Sequence, residues 1–358
     1  MITMSMDLLE AKQNCPILIE WDEISTMRAK ILSQMESKRF LVVISERVEK
    51  VYGKALGFSK KEKIVIKDGE KNKNFKNYNK ILNRAFKMKL TRNDVIVAIG
   101  GGVVGDMAGF VASTYMRGID FIQVPTTLLA CVDSSIGGKT GIDNKFGKNL
   151  VGAFYQPKAV LINTNFLKTL DMRQLKSGLG EVVKYAFIEK SCLCDEEYGL
   201  MNFLSENSEK ILACDNLTMS NLIQICLKLK ISVVEKDVKE SDLRRVLNFG
   251  HTYAHAIEGY YKYKKYTHGE AVVEGIKYAF ELAEKRDFIE KEYKFLAFDV
   301  LKKFDFTQVK TVAIEKIIKI MQLDKKATHK NIVFMLPVDY AKVEAIEINP
   351  SSLLCEQD

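Results

Sequence analysis

The sequence predicts an α/β unit built on a largely parallel sheet, followed by a mainly helical unit. Three observations carry this expectation. Short apolar runs alternate with helical patterns through the first half, and the alternation fades beyond about Thr169. Proline is scarce, 5 in 358 residues, which favours long uninterrupted helices over a turn-rich all-β chain. No internal repeat or Pro/Gly/Ser-rich linker marks a boundary, so the change of period divides the chain into 1–170 and 171–358.

The expected strands are FLVVIS (40–45), IVI (64–66), VIVAI (95–99), FIQV (121–124) and AVLI (159–162), with crossover helices between most of them. Between Lys60 and Lys89 the lysines are spread through Phe75, Tyr78, Ile81, Leu82 and Phe86, the pattern of an amphipathic helix with a solvated face. In the second half Leu222, Ile225, Leu229 and Val233 step at helical spacing, as does the stretch 272–282. Near the C-terminus NIVFML and KVEAIEI are suited to a small strand pair.

Composition excludes several classes. Hydrophobic residues at 47% and charged residues at 28% describe a globular chain rather than a disordered one. No run approaches the ~18 consecutive apolar residues of a membrane helix, and MITMSMDLLEAKQN lacks the basic-then-apolar order of a secretory leader. The seven cysteines (15, 131, 192, 194, 214, 226 and 355) are odd in number and scattered, which suits reduced thiols and a cytoplasmic location. The net charge, 54 − 46 = +8, suits nucleic acid or an anionic small molecule. The spread of lysines along a helix face favours the second, so neither nucleic acid nor membrane is expected as a partner.

Four segments carry chemistry. DVIVAIGGGVVGDMAGFVA is a strand, a glycine turn and a helix, in which Gly100, Gly102 and Gly105 satisfy G-x-G-x-x-G and Asp120 follows about twenty residues on. SSIGGKTGIDNKFGKNLVGAF sets Lys139, Lys145 and Lys148 among glycines, either an anion cradle or a surface loop with solvated lysines. Three of the four histidines, His251, His255 and His268, fall within eighteen residues. Two imidazoles with a distant carboxylate form a catalytic zinc pattern, although spacing leaves open which two bind. Glu181 and Lys184 in GLGEVVKYA share a helix face, able to direct a carboxylate toward a cation and an ammonium toward an anion.

Together, GGGVVGDMAGFVASTYMRG, QVPTTLLACVDSSIGGKTGID, GKNLVGAFYQP, FLKTL, SGLGEVVKYA, LNFGHTYAHAIE and HGEAV resemble, in order, the 3-dehydroquinate synthase family of sugar-phosphate cyclases. The resemblance implies a Rossmann-like NAD domain followed by a helical metal- and substrate-binding domain, working as a homodimer. It implies Glu181, His251 and His268 as ligands of zinc, which cobalt could replace, with His255 as a proton-transfer residue and Glu240 as its acidic partner. NAD would lie against Gly101, Gly102, Val103 and Asp106. Ser45, Glu70, Lys73, Thr126, Thr127, Lys148, Phe166 and Thr169 would surround it. Ser45 stands where the family commonly has Asp or Asn. The substrate, a phosphorylated sugar acid, would meet Arg117, Asp133, Lys139, Asn149, Lys184, Lys230, Arg244, Asn248 and Lys325 or Lys326, with Lys184, Arg244 and Asn248 also catalytic. The implied reaction turns 3-deoxy-D-arabino-heptulosonate 7-phosphate into 3-dehydroquinate through transient oxidation by NAD, phosphate elimination, re-reduction and aldol closure. Valiolone- and inosose-forming cyclases and metal-dependent polyol dehydrogenases are the alternatives.

Overall fold

The structure, a computed structural model, describes residues 1–8, 13–36, 39–194, 196–237, 243–310, 312–322 and 331–355. It comprises two units, Met1–Leu170 with Asn216–Gln224, and Asp171–Asp215 with Ile225–Asp358.

The first unit holds strands β1 (Ile2–Leu8), β2 (Gln13–Glu20), β3 (Phe40–Ser45), β4 (Lys63–Ile66), β5 (Val95–Gly100), β6 (Asp120–Pro125), β7 (Lys139–Asn144), β8 (Gly147–Phe154) and β9 (Ala159–Asn163). Its helices are α1 (Met27–Ser33), α2 (Glu46–Leu56), α3 (Phe75–Lys87) and α4 (Gly102–Thr114). Seven strands form one sheet in the order β1-β2-β9-β6-β5-β3-β4, parallel throughout except for the β1–β2 pair. Within the apolar runs, alternate residues serve opposite faces. Leu41, Val43, Ile96 and Ala98 pack with α3 and α4, whereas Val42, Ile44, Val97 and Ile99 join the core containing α1 and α2.

Two features of this unit depart from the sequence reading, the hairpins β1–β2 and β7–β8. The N-terminal hairpin β1–β2 was not read from the sequence, because Pro16 and the polar positions interrupt its apolar run. Pro16 faces Ser5 of β1, and pairing with β9 begins only at Ile17, so its missing N–H costs no ladder bond on that side. Between Lys60 and Lys89 the apolar pattern forms the expected amphipathic helix, at Phe75–Lys87. It buries Ile81 and Ala85, while Phe75 and Phe86 stay half exposed at 48% and 51%. The second glycine-rich stretch is an antiparallel hairpin, β7–β8, rather than a loop. A methyl group on Gly152 would lie 2.0 Å from the Thr140 carbonyl oxygen, and one on Gly109 of α4 would lie 2.5 Å from Thr140 Cγ2. These glycines bring backbones together.

The second unit contains α5 (Met172–Ile188), α6 (Leu200–Leu212), most of α7 (Asn216–Lys236), α8 (His251–Tyr260), α9 (His268–Lys285), α10 (Lys291–Lys302) and α11 (Ile314–Met321). An antiparallel pair, β10 (Ile332–Asp339) and β11 (Lys342–Ile348), and α12 (Pro350–Cys355) complete it. By length and a mean hydropathy of 1.4, α7 could cross a membrane, but 67% of that window is buried inside the protein, as befits a core helix.

Helix α9 packs against both α5 and α8, and glycines set how closely. A methyl group on Gly269 would lie 1.9 Å from the Ser177 carbonyl oxygen of α5, and one on Gly275 would lie 1.9 Å from the Gly250 carbonyl oxygen. Gly250 itself, at φ 77°, turns the chain into α8 in a conformation that favours glycine. Gly275→Ala is therefore expected to cost about 3 kcal/mol of stability, since backbone cannot yield as a side chain does. Urea denaturation measures it, and an unchanged midpoint would refute the close-approach argument.

Candidate active site

The same glycine contacts bring three ligand-type side chains together. Glu181 follows Gly180 on α5, His251 follows Gly250 as the first residue of α8, and His268 precedes Gly269 as the first residue of α9. The start of α9 is fixed by a capping box in which Thr267 accepts from the Glu270 N–H and the Glu270 side chain accepts from the Thr267 N–H. Arg173 of α5 clamps that same Glu270 through two hydrogen bonds of 2.8 Å.

Glu181 Oε1 lies 3.4 Å from His251 Nε2 and 3.3 Å from His268 Nε2. One ligand atom from each of the three side chains falls within 4.8 Å of the others, the only such group of His, Cys, Asp or Glu among the described residues. The tautomers agree with this convergence. His251 Nδ1 faces the Phe249 carbonyl oxygen at 3.0 Å, and His268 Nδ1 faces Glu258 Oε2 at 3.3 Å. Both partners accept, so each Nδ1 carries the proton, and the Nε2 atoms meet at Glu181.

Glu181 Oε1 is buried without a hydrogen-bond partner, while Oε2 accepts from Lys184 Nζ. A buried acceptor faced by two imidazole nitrogens fits a divalent cation, and one carboxylate with two imidazoles is a donor set that suits zinc. Burial alone would raise the Glu181 carboxyl, but the Lys184 ammonium holds it well below the usual range. Burial also keeps the His251 imidazole neutral, lowering it to about 4, the form in which a histidine ligates metal. His255, one helical turn from His251, is not part of the convergent group, although its ring centroid is 5.4 Å from that of His251 and 6.2 Å from that of His268. The helical i, i+4 pair is thus not the convergent one.

In the first unit, β5 ends at Gly100, Gly101 caps α4, and Gly102 and Val103 open its first turn. A methyl group on Gly101 would lie 3.0 Å from Thr127 Cγ2, and one on Gly102 would lie 2.9 Å from Ser134 Oγ. A side chain at either position would have to displace Thr127 or Ser134, and the turn sets the first N–H groups of α4 at the carboxyl end of the sheet, where anions bind in open α/β folds. Thr126 and Thr127 follow β6 beside it, with the Thr126 N–H bonded to the Gly100 carbonyl at 3.0 Å. Asp120, suggested by the fingerprint spacing, is at the opposite end: it opens β6 and pairs with Lys158 at 3.1 Å. The chain returns on the next parallel strand, so twenty residues lead away from the glycine turn.

Lys73 Nζ joins two predicted groups, reaching Asp106 Oδ2 at 2.5 Å and donating also to Asn149 Oδ1 of β8. Burial opposes the ammonium, but Asp106 and Glu70 raise the Lys73 pKa. Burial likewise pushes the Asp106 carboxyl up against the pull of Lys73; at 2.5 Å the charged pair is the state this geometry describes. Asp143, absent from the sequence expectations, completes the network: Oδ1 accepts from the Asn149 N–H at 2.9 Å, and its own N–H donates to the Lys73 carbonyl at 2.9 Å.

The remaining predicted positions are distributed as follows. Ser45 caps α2, its hydroxyl accepting from the Val48 N–H at 3.2 Å. Glu70 opens a short 3-10 turn at 70–72. Phe166 is buried in the core against Tyr52, whose hydroxyl lies 2.9 Å from Thr169 Oγ1. Lys139 and Lys148 lie on the β7–β8 hairpin, and Asp133 on a π-helical turn. Arg117 is exposed with φ 67°, a left-handed backbone unusual for arginine. In the second unit Lys184, Lys230 and Arg244 are buried charges, with Asn248 on the same short 3-10 segment as Arg244. Glu240, Lys325 and Lys326 lie outside the described residues. Glu258 and the Arg173–Glu270 clamp were missed, although Glu258 stands seven residues after His251, two turns along the same helix face.

Two family models match in succession, the 3-dehydroquinate synthase N-terminal model over residues 63–177 and its C-terminal model over 178–327. The 3-dehydroquinate synthase of Alkaliphilus metalliredigens is 41% identical over 320 residues, covering 88% of each chain. The chain belongs to the 3-dehydroquinate synthase family. Solved structures of other cyclases share the fold at lower identity. A 2-deoxy-scyllo-inosose synthase complexed with carbaglucose-6-phosphate, NAD+ and Co2+ gives a TM-score of 0.85 at 24% identity, covering 99% of this chain and 98% of that one. The 2-epi-5-epi-valiolone synthase of Streptomyces hygroscopicus, with NAD+ and Zn2+ bound, gives 0.82 at 22%, covering 96% and 97%. Identity to the 3-dehydroquinate synthase of Alkaliphilus metalliredigens thus exceeds that to these two structures.

Proposed function

We propose that this enzyme converts 3-deoxy-D-arabino-heptulosonate 7-phosphate into 3-dehydroquinate and phosphate, with zinc and NAD as cofactors. The carrying observation is the convergence of Glu181, His251 and His268 beside a buried lysine, in a chain of this family. Zinc, when bound, supplies Lewis acidity to a substrate hydroxyl, and NAD supplies a reversible hydride acceptor. Cobalt suits the same ligands.

The chain's own residues bind, orient and move protons. Lys184, held between the Glu181 carboxylate and the face of the Tyr185 ring 4.8 Å away, presents an ammonium beside the ligand cluster. His255, near the cluster but outside it, is assigned proton transfer. Lys184, Lys230, Arg244 and Asn248 in the second unit, and Arg117, Asp133, Lys139 and Asn149 in the first, are assigned to the substrate's phosphate, carboxylate and hydroxyls. The glycine turn and its threonines are assigned to the NAD pyrophosphate. We further assign a homodimer and a cytoplasmic location.

Two measurements test this reading. Phosphate release from the heptulosonate phosphate should match 3-dehydroquinate formed, and inertness toward that substrate would overturn the assignment. NAD at about a hundred times its dissociation constant should stabilise the fold by about 2.7 kcal/mol. Nucleic acid at physiological salt should give no such stabilisation; if it does, the basic surface is a nucleic-acid site instead.

A further inference from the structure

We propose that Glu258 is a positioning residue that holds the His268 imidazole in the tautomer and orientation needed to ligate the cation. The inference rests on the zinc reading above. Its basis is geometric: the Glu258 side chain is only 5% exposed, and Oε2 stands 3.3 Å from His268 Nδ1. On the far side of the same ring, Nε2 stands 3.3 Å from Glu181 Oε1. The imidazole of His268 is therefore held between two buried carboxylates, one at the ligand position and one behind it.

The two histidines of the cluster are oriented by different means. His251 Nδ1 donates to a backbone carbonyl, that of Phe249, which no substitution removes. His268 depends on a side chain. The capping box and the Arg173–Glu270 clamp fix the backbone at the start of α9, but they leave the ring free to turn about its own torsions. Glu258 supplies that missing restraint from α8. A buried carboxylate is costly unless it is paired, so its place behind a ligand calls for a function. Accepting the Nδ1 proton also leaves the Nε2 lone pair toward the cluster, and the negative charge makes that nitrogen a stronger donor.

The test compares zinc affinity of the full chain with Glu258→Ala and Glu258→Gln, by competition against a chromophoric chelator, together with the visible spectrum after cobalt loading. Glu258→Ala is expected to bind zinc about 10- to 100-fold more weakly and to shift the cobalt bands. Glu258→Gln keeps an oxygen that accepts from Nδ1 but loses the charge, so its loss should be smaller, about threefold to tenfold. A purely structural role would lower the unfolding midpoint of the metal-free variants and leave both metal readouts at parental values. If Glu258→Ala does not fold, the near-isosteric Gln variant decides. Parental affinity and spectrum in whichever variant folds would overturn the proposal. A parent chain that takes up no zinc, or keeps it in His268→Ala, would overturn the metal reading itself, which separates the two failures.

Discussion

Glu181→Gln, His251→Ala and His268→Ala are each expected to lose the zinc and to lower turnover roughly a thousandfold or more, since a metal Lewis acid supplies several kcal/mol of transition-state stabilisation. Gln is the better replacement at Glu181, because its amide oxygen can still accept from the buried Lys184 ammonium, which an alanine cannot. His255→Ala is the discriminating variant. Its ring adjoins the cluster but does not converge with it. Zinc content should remain near one per chain while turnover falls roughly 10²- to 10⁴-fold, the range for losing a general acid or base. Elemental analysis alongside phosphate release reads both quantities. Metal that survives in His268→Ala but disappears in His255→Ala would show that the helical pair, not the three-helix cluster, is the binding site.

That contrast also shows where sequence reasoning reached its limit. Periodicity alone indicated the parallel sheet, because strands buried on both faces leave continuous apolar runs such as FLVVIS and VIVAI. It also indicated the β10–β11 pair, whose alternation survives in KVEAIEI. It missed β1–β2, where alternation is broken by Pro16, and it read β7–β8 as an anion cradle or a loop because glycines that permit close strand contact resemble glycines that permit motion. At the site, spacing within one helix made His251 and His255 look like partners. The choice between them and His268 depends on how closely α5, α8 and α9 approach, which Gly180, Gly250, Gly269 and Gly275 determine. Those glycines are visible in the sequence, but their partners are not. Glu258 illustrates the same limit, since its partner His268 lies on another helix.

The remaining large effect concerns hydride accounting. A dehydrogenase releases one NADH for each substrate consumed, whereas a cyclase of this family should return the hydride before product leaves. Catalytic NAD should therefore suffice for full conversion, with one phosphate per heptulosonate phosphate and no NADH accumulating beyond the enzyme present. Retaining the intermediate through several steps requires strong anion contacts, and Arg244 is the arginine of the second unit proposed above to make one. The residue is 2% exposed, and its backbone N–H is anchored to Asp237 Oδ2 at 3.0 Å. Charge-assisted hydrogen bonds contribute about 1.5–3 kcal/mol each, so loss of a two-pronged contact in Arg244→Ala should lower kcat/KM roughly a hundredfold or more. Lysine at that position should recover little, because a single ammonium cannot reproduce the planar fork. Zinc should remain bound in both variants, since Arg244 is not among the convergent ligands. NADH rising in step with product, or oxidation of a simple polyol while the heptulosonate phosphate stays inert, would instead make this a dehydrogenase built on the same fold.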